Sequence, residues 1–157
     1  MQPIDSNITL FLLLDITRIL RLEFERKVQK AALGITPSEA RTLANIARFG
    51  ALNQNKLSDL TGFGAMSAAR VLKNLEAAGL VSRSADPNDR RAKIVQVTQK
   101  AAPLLTALKD VGEEVDAVTR GDMSLEDWTS LQSMLQKVRQ TQLTAYRSRR
   151  TAEDTPE

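Results

Sequence analysis

Apolar residues recur every three or four positions along most of this chain, the spacing of amphipathic helices. Residues 5–30 form the first such stretch and predict one long helix. Leu10, Leu13 and Leu14 widen its apolar surface almost to the full circumference. A helix that is apolar nearly all round must be covered on several sides. We therefore expect a partner chain to cover part of it, because a chain of 157 residues offers little cover of its own.

Helix-start and helix-stop signals divide the next part of the chain. Thr36-Pro37-Ser38-Glu39 combines a capping box with proline in the first turn, and Gly50 ends that helix. A short helix is predicted from Asn53, as its cap, to Thr61. After a turn through Gly62–Gly64, a further helix is predicted over residues 65–78, with Gly79 as its stop signal.

The pattern changes between residues 80 and 98. Two short β-rich runs, residues 80–83 and 93–98, flank the turn-forming segment 85–91, which predicts a two-stranded hairpin with a charged tip. Two more helices are expected over residues 101–146, with Pro103 either in the first turn or at a kink and with Ser124 and Asp127 capping the second. Residues 147–157 have no apolar face and are predicted to be a disordered tail.

Composition excludes several functions. The chain has neither cysteine nor histidine, which excludes disulfides and thiol or imidazole catalysis and nearly every zinc site. Adjacent carboxylates such as Glu113 and Glu114 diverge by about 100° on a helix and resemble a solvated face. We therefore predict no enzyme, no catalytic residue, no metal and no cofactor. No targeting or membrane segment is apparent, so a cytoplasmic location is expected.

The predicted helix over residues 65–78 has two contrasting faces. Ala68, Val71, Leu72 and Leu75 share one face, whereas Met66, Arg70, Lys73 and Asn74 lie opposite. On that polar face Arg70 and Asn74 can read base edges, Ser67 and Lys73 can bind phosphate, and small residues such as Ala69 allow close approach to a groove. The alternative is an ordinary surface helix with solvated charges.

The charge distribution favours a nucleic-acid interface over that alternative. The net charge is only +3, but residues 50–100 carry eight basic and four acidic side chains and therefore +4. Two helices joined by a turn and followed by a hairpin predict a winged helix-turn-helix. Arg90 and Arg91 at the hairpin tip suit a negatively charged minor groove. The alternative for the tip is a solvated turn in which Asp86 and Asp89 pair with these arginines.

Three short motifs resemble the signature of MarR-family transcriptional regulators. Residues 75–83 read LEAAGLVSR, residues 86–92 read DPNDRRA, and Val97-Thr98 precede a long helix. The family pattern is LE-x-x-GLV-x-R, then D-P-x-D-R-R, then LT, and the spacing agrees without gaps. The resemblance covers the chain to about Tyr146. Within the family pattern, Gly64 stands where Ser or Asp often caps the recognition helix.

The resemblance implies a mainly α fold with a small β-hairpin wing, dimeric through its N- and C-terminal helices. Residues 1–146 would be a single domain, with a winged helix-turn-helix lobe at about 36–100 and dimerisation helices at about 5–30 and 101–146. It also implies a homodimeric repressor that binds a near-palindromic operator in double-stranded DNA and is released by a small anionic or aromatic ligand. Arg70 matches the arginine common in the recognition helix, and Arg90 matches the wing arginine.

The expected DNA-binding residues combine the helix face and the wing: Met66, Ser67, Ala69, Arg70, Lys73, Asn74, Arg83, Arg90 and Arg91. The competing hypothesis is a winged-helix protein-interaction module without operator binding. The glycine cap and the alanine-rich start of the helix keep this alternative open, and selection from random duplex DNA separates the two.

Overall fold

The computed structural model describes residues 5, 7–53, 56–57, 60, 64–86 and 93–153. Its elements, in chain order, are α1 (Thr9–Lys30), α2 (Pro37–Phe49), β1 (Leu52–Asn53), α3 (Ala65–Ala77), β2 (Val81–Ala85), β3 (Lys93–Val97), a 3₁₀ turn (Gln99–Ala101), α4 (Ala102–Arg120) and α5 (Leu125–Glu153). The chain forms two compact units, Met1–Asp116 and Ala117–Glu157. None of the described helices is long and apolar enough to cross a membrane.

The first unit contains the winged helix. Its sheet has the order β1-β3-β2, with β3 antiparallel to both neighbours. Val95 in β3 lies opposite Leu52 on one side and Arg83 on the other. The apolar faces of the helices pack on this sheet around one core: Val28, Ala40, Leu43, Ile46, Leu52, Leu57, Val71, Leu72, Leu75, Leu80, Val81, Val95, Ala101, Leu108 and Val111.

Local signals set several boundaries as predicted. Thr36 Oγ1 accepts from the Glu39 backbone N–H, and the Glu39 carboxylate accepts from the Thr36 N–H, which completes the capping box. Asn53 Oδ1 accepts from the Lys56 N–H at 2.9 Å, as a cap would. Lys56, Leu57 and Leu60 are helical, whereas residues 54–55, 58–59 and 61 lie outside the described residues.

The boundaries of α1 and the strand count differ from the prediction. α1 begins at Thr9 rather than at residue 5, because Asp5 Oδ1 accepts from the Asn7 N–H at 2.8 Å and holds the chain in a local turn. The predicted two-stranded hairpin is part of a three-stranded sheet, since Leu52–Asn53 pairs with β3. Two residues are too few for any periodic signal.

The second half of the chain is more helical than predicted. Pro103 lies in the first turn of α4, where its missing N–H costs nothing. Ser124 Oγ accepts from the Asp127 N–H at 3.0 Å and caps α5 as predicted. The α5 helix continues to Glu153, seven residues into the predicted tail, because nothing in RSRRTAE breaks a helix. Residues 154–157 lie outside the described residues.

Candidate nucleic-acid interface

Helix α3 has the two faces that its sequence predicts. Ala68, Val71, Leu72 and Leu75 are buried against the core, so this stripe fixes which way the helix faces. Gly64 is the N-cap, in an extended conformation and without a side-chain cap hydrogen bond. The start of α3 therefore depends on packing more than on capping.

The opposite face of α3 is open to solvent. Met66 is 88% exposed, and Ser67, Arg70, Lys73 and Asn74 are exposed as well, whereas Ala69 is half-buried. Ser67, Arg70 and Asn74 are spaced by three and four residues and share one side of the helix. The structure thus gathers the predicted helix contacts on one accessible surface. Cationic and amide donors there suit phosphate oxygens and base edges.

Asn74 is also tied to another helix. Its Nδ2 donates a 2.9 Å hydrogen bond to Glu39 Oε1, at the start of α2. Partial burial raises the pKa of Glu39, but hydrogen bonds from Thr36 and Asn74 and the charge of Arg70 outweigh it, and the pKa is lowered below its ordinary value. Glu39 is therefore ionised at neutral pH and is close enough to Arg70 for their charges to interact.

Arg83 occupies a different environment from the other predicted contacts. It lies on β2, its side chain is 23% exposed, and its Nε is 3.1 Å from Glu76 Oε2 on α3. This ion pair joins the first strand of the hairpin to α3. Arg83 is thus placed to brace α3, in addition to its predicted role toward DNA.

The C-terminal end of α3 is held by residues that follow the hairpin. Thr98 Oγ1 donates to the Gly79 carbonyl at 2.6 Å, and Lys100 Nζ donates to the Ala78 carbonyl at 2.8 Å. Carbonyls in the last turn of a helix have no partner within it, so outside donors stabilise this end. The Val97-Thr98 motif therefore has a structural role, because Thr98 links the sheet to the end of α3.

The remaining predicted contacts belong to the hairpin tip. Arg90 and Arg91 lie outside the described residues, as do Asp89 and the rest of segment 87–92. Lys93, where β3 begins, is exposed. Among the described residues, no three Asp or Glu side chains group to hold a metal ion.

Sequence reasoning did not identify Glu39, Glu76 or Lys100 as parts of this surface. Glu39 was assigned to its cap alone, and the partners of all three are in other elements. A basic residue shortly after the hairpin, within reach of a helix that ends at glycine, is the signal that would have pointed to Lys100.

Comparison with known proteins agrees with this geometry. The family model described as "MarR family" matches residues 33–92. A crystal structure of MarR aligns with a TM-score of 0.75 and 23% identity, covering 94% of this chain and 99% of that chain. A putative MarR-family regulator from Listeria monocytogenes, complexed with a 26mer DNA, aligns with a TM-score of 0.70 and 21% identity over 100% and 99%.

A third structure is that of Bordetella bronchiseptica BpsR, from work on regulation of its DNA binding by 6-hydroxynicotinic acid. It aligns with a TM-score of 0.65 and 20% identity, covering 88% of this chain and 97% of that chain. The relatives are transcriptional regulators rather than enzymes, which agrees with the prediction that this chain is no enzyme. The matched segment and the solved structures together show that this chain is similar to MarR-family transcriptional regulators in its winged-helix segment and in its fold.

Proposed function

We propose that this chain acts as a homodimeric, sequence-specific regulator that binds a near-palindromic operator through α3 and the hairpin. The observation that carries the proposal is the two-faced α3, buried through Leu72 and exposed through Arg70 and Lys73. The surplus of positive charge in residues 50–100 supports it. The DNA complex of the Listeria monocytogenes regulator supports the same mode of binding.

Selection from a random duplex library tests operator binding. Full-length protein at moderate salt is expected to enrich one motif with two half-sites about one helical turn apart. Its affinity should fall steeply with salt, because each phosphate contact releases counterions. Arg90→Ala is expected to weaken binding to most sequences. A library that yields no motif favours the alternative, a winged-helix module for protein contacts.

The dimer is proposed from the exposed apolar surface of α1. Large side chains at its N-cap and along its N-terminal two thirds are 45–59% exposed: Ile8, Leu10, Leu12, Leu14, Ile16, Ile19 and Leu22. They lie on more than one side of the helix, whereas the C-terminal part of α1 buries Val28. An exposed apolar surface of this extent normally marks an interface. A second copy of the chain carries the same helix and can cover this surface symmetrically.

Sedimentation equilibrium at micromolar concentration tests the dimer. Wild type is expected as a dimer, and Ile16→Asp as a weaker dimer or a monomer, because a carboxylate would be buried at the interface. Ser84→Asp, which adds a carboxylate to an exposed position of β2 outside both predicted dimerisation segments, is the matched control and should leave the mass unchanged. A monomeric wild type contradicts the proposal.

We further propose that the chain represses transcription and that a small aromatic or anionic acid releases it from DNA. This proposal is supported by BpsR, whose DNA binding is regulated by 6-hydroxynicotinic acid, an aromatic carboxylic acid. In this chain a cleft of about 250 Å³ lies between α1 and α4, lined by Arg26, Lys27, Lys30, Ala31, Val111 and Glu114. Its cations attract an acid, although Lys27 already pairs with Glu114 at 2.6 Å.

A titration of the operator complex with 6-hydroxynicotinic acid and benzoic acid tests ligand release. Release by either acid, reduced in Lys30→Glu, supports the cleft as the ligand site. If an acid releases the DNA and Lys30→Glu does not change that release, the ligand binds elsewhere. No release at millimolar acid contradicts regulation by single-ring acids. Expression of a reporter with the selected operator across its promoter then distinguishes repression from activation.

A further inference from the structure

The rotation of the recognition helix about its own axis is set by a directional contact as well as by packing. The buried stripe through Leu72 and Leu75 holds α3 against the core, but apolar contacts are non-directional and tolerate small rotations. A hydrogen bond is directional and constrains both distance and angle. The Asn74–Glu39 bond links the exposed face of α3 to a neighbouring helix at 2.9 Å.

Glu39 uses each of its carboxylate oxygens for a different task. Oε2 accepts from the backbone N–H of Thr36 at 2.8 Å and closes the capping box. Oε1 accepts from Asn74 Nδ2. The carboxylate is thereby fixed at the N-terminus of α2 and reaches across to α3, so the start of one helix positions the other.

Asn74 is one helical turn beyond Arg70 on the same side of α3. A constraint at Asn74 therefore also limits where Arg70 is presented. Recognition of adenine by asparagine uses the amide oxygen together with an amide N–H in a bidentate pair. In this structure one of the two N–H groups of Nδ2 donates to Glu39, which ties the amide to α2, and the other is left for a further partner. The bond therefore gives Asn74 a part in orienting the helix, whether or not its amide also contacts a base.

We propose that Glu39 and Asn74 are positioning residues for operator recognition: their bond holds the recognition helix in the rotation at which Arg70 meets its base pair. This inference rests on the proposed function, because it presupposes an operator. It adds an orienting role to Asn74, for which the sequence alone predicts a base contact.

A reciprocal exchange tests the bond itself. In Asn74→Asp two carboxylates face each other and the link is lost. In the double variant E39Q/N74D, the Gln oxygen can accept from Thr36 while its NH₂ donates to the new carboxylate, which restores the link with the polarity reversed. Both proteins carry aspartate at position 74, so any direct effect of that residue on DNA is the same in both.

The measurement is equilibrium binding of full-length protein to the selected operator and to a scrambled duplex. Asn74→Ala and Glu39→Ala each remove the link and are expected to reduce the ratio of the two affinities by roughly 5- to 10-fold, with the scrambled affinity nearly unchanged. The double variant should recover at least about five-fold in operator affinity over Asn74→Asp. Asn45→Ala, which removes a bond within α2, is the control and should match wild type.

Each outcome has one interpretation. A wild type that does not discriminate between the duplexes contradicts the proposed function, and the positioning role with it. A discriminating wild type in which the double variant binds no better than Asn74→Asp contradicts the positioning role alone. Loss of preference at one base pair in Asn74→Ala, without any change in Glu39→Ala, would show that Asn74 reads a base and that the link is not needed, and would also overturn the inference.

Discussion

The hydroxyl of Thr98, just after strand β3, donates a 2.6 Å hydrogen bond to the backbone carbonyl of Gly79, just after helix α3. The backbone N–H of Thr98 also donates to the Leu80 carbonyl at 3.0 Å. These two bonds join the end of the recognition helix to the central strand of the sheet. The hairpin and α3 are therefore linked directly as well as through the core.

Thr98→Val is expected to destabilise the protein, because valine has nearly the same shape but cannot donate to Gly79. The loss leaves one carbonyl without that partner and should lower the free energy of unfolding by about 1 kcal/mol. Urea denaturation followed by circular dichroism measures it. Thr98→Ser keeps the hydroxyl and should cost less. Equal losses in the two variants would show that the hydroxyl is not the stabilising group.

Substitution by alanine is expected to have opposite effects on stability at two glycine positions. Gly79 has φ of +71°, a conformation in which a side chain is strained, and an added Cβ would meet Lys100 Cδ at 3.4 Å. Gly79→Ala should therefore cost about 1–3 kcal/mol. Gly112 lies within α4, where an added Cβ meets nothing within 4 Å, and Gly112→Ala should raise stability by up to about 1 kcal/mol. Urea midpoints that move in the same direction would contradict this contrast.

Stability is expected to fall in acid, partly through Glu39. The folded-state pKa of Glu39 is lowered from its ordinary value of 4.5 by Thr36, Asn74 and Arg70, against the effect of burial. A carboxylate whose pKa is lowered by folding stabilises the protein at pH values above its pKa in the unfolded state. That stabilisation is lost as the pH falls through its pKa in the folded state. Wild type should thus exceed Glu39→Gln in stability at about pH 6, and the difference should shrink toward about pH 3. Urea titrations at both pH values test this, and a difference that is independent of pH would exclude ionised Glu39 as its source.

Arg70 and Lys73 are expected to differ in their effect on DNA binding. Arg70→Ala should weaken operator binding by roughly 10- to 100-fold and relax the preference at one base pair of each half-site. Lys73→Ala should weaken operator and scrambled duplex alike and reduce the salt slope by about one. Selection repeated with each variant, together with salt titrations, measures both effects. If both variants bind like wild type, the assignment of α3 to the groove is wrong.

The parts of the fold that depend on neighbouring residues could be predicted from the sequence. The capping box of Thr36 and Glu39, the cap at Ser124 and the buried stripe of α3 each follow from spacings of three or four residues. Strand β1 could not be predicted, because its two residues form a strand only by pairing with β3, more than forty positions away. The sequence pattern underestimates the length of α5, because a segment without an apolar face can still be helical.

The candidate site could likewise be predicted only in part from the sequence. Residue type and helical spacing predicted which side chains of α3 face outward, and the structure places Met66, Arg70 and Lys73 there. Spacing did not reveal what those side chains also touch. Asn74 meets a residue 35 positions earlier, and Arg83 meets Glu76 across the junction of helix and strand. Such contacts arise from the packing of separate elements and have no local signal.

The central claim is that a dimer of this chain discriminates one DNA sequence from others. Its most direct test is an equilibrium titration of the selected operator and of a scrambled duplex of equal length at about physiological salt. A preference of at least about 10³-fold for the operator is expected, with saturation at two chains per duplex. Equal affinity for both duplexes would contradict it.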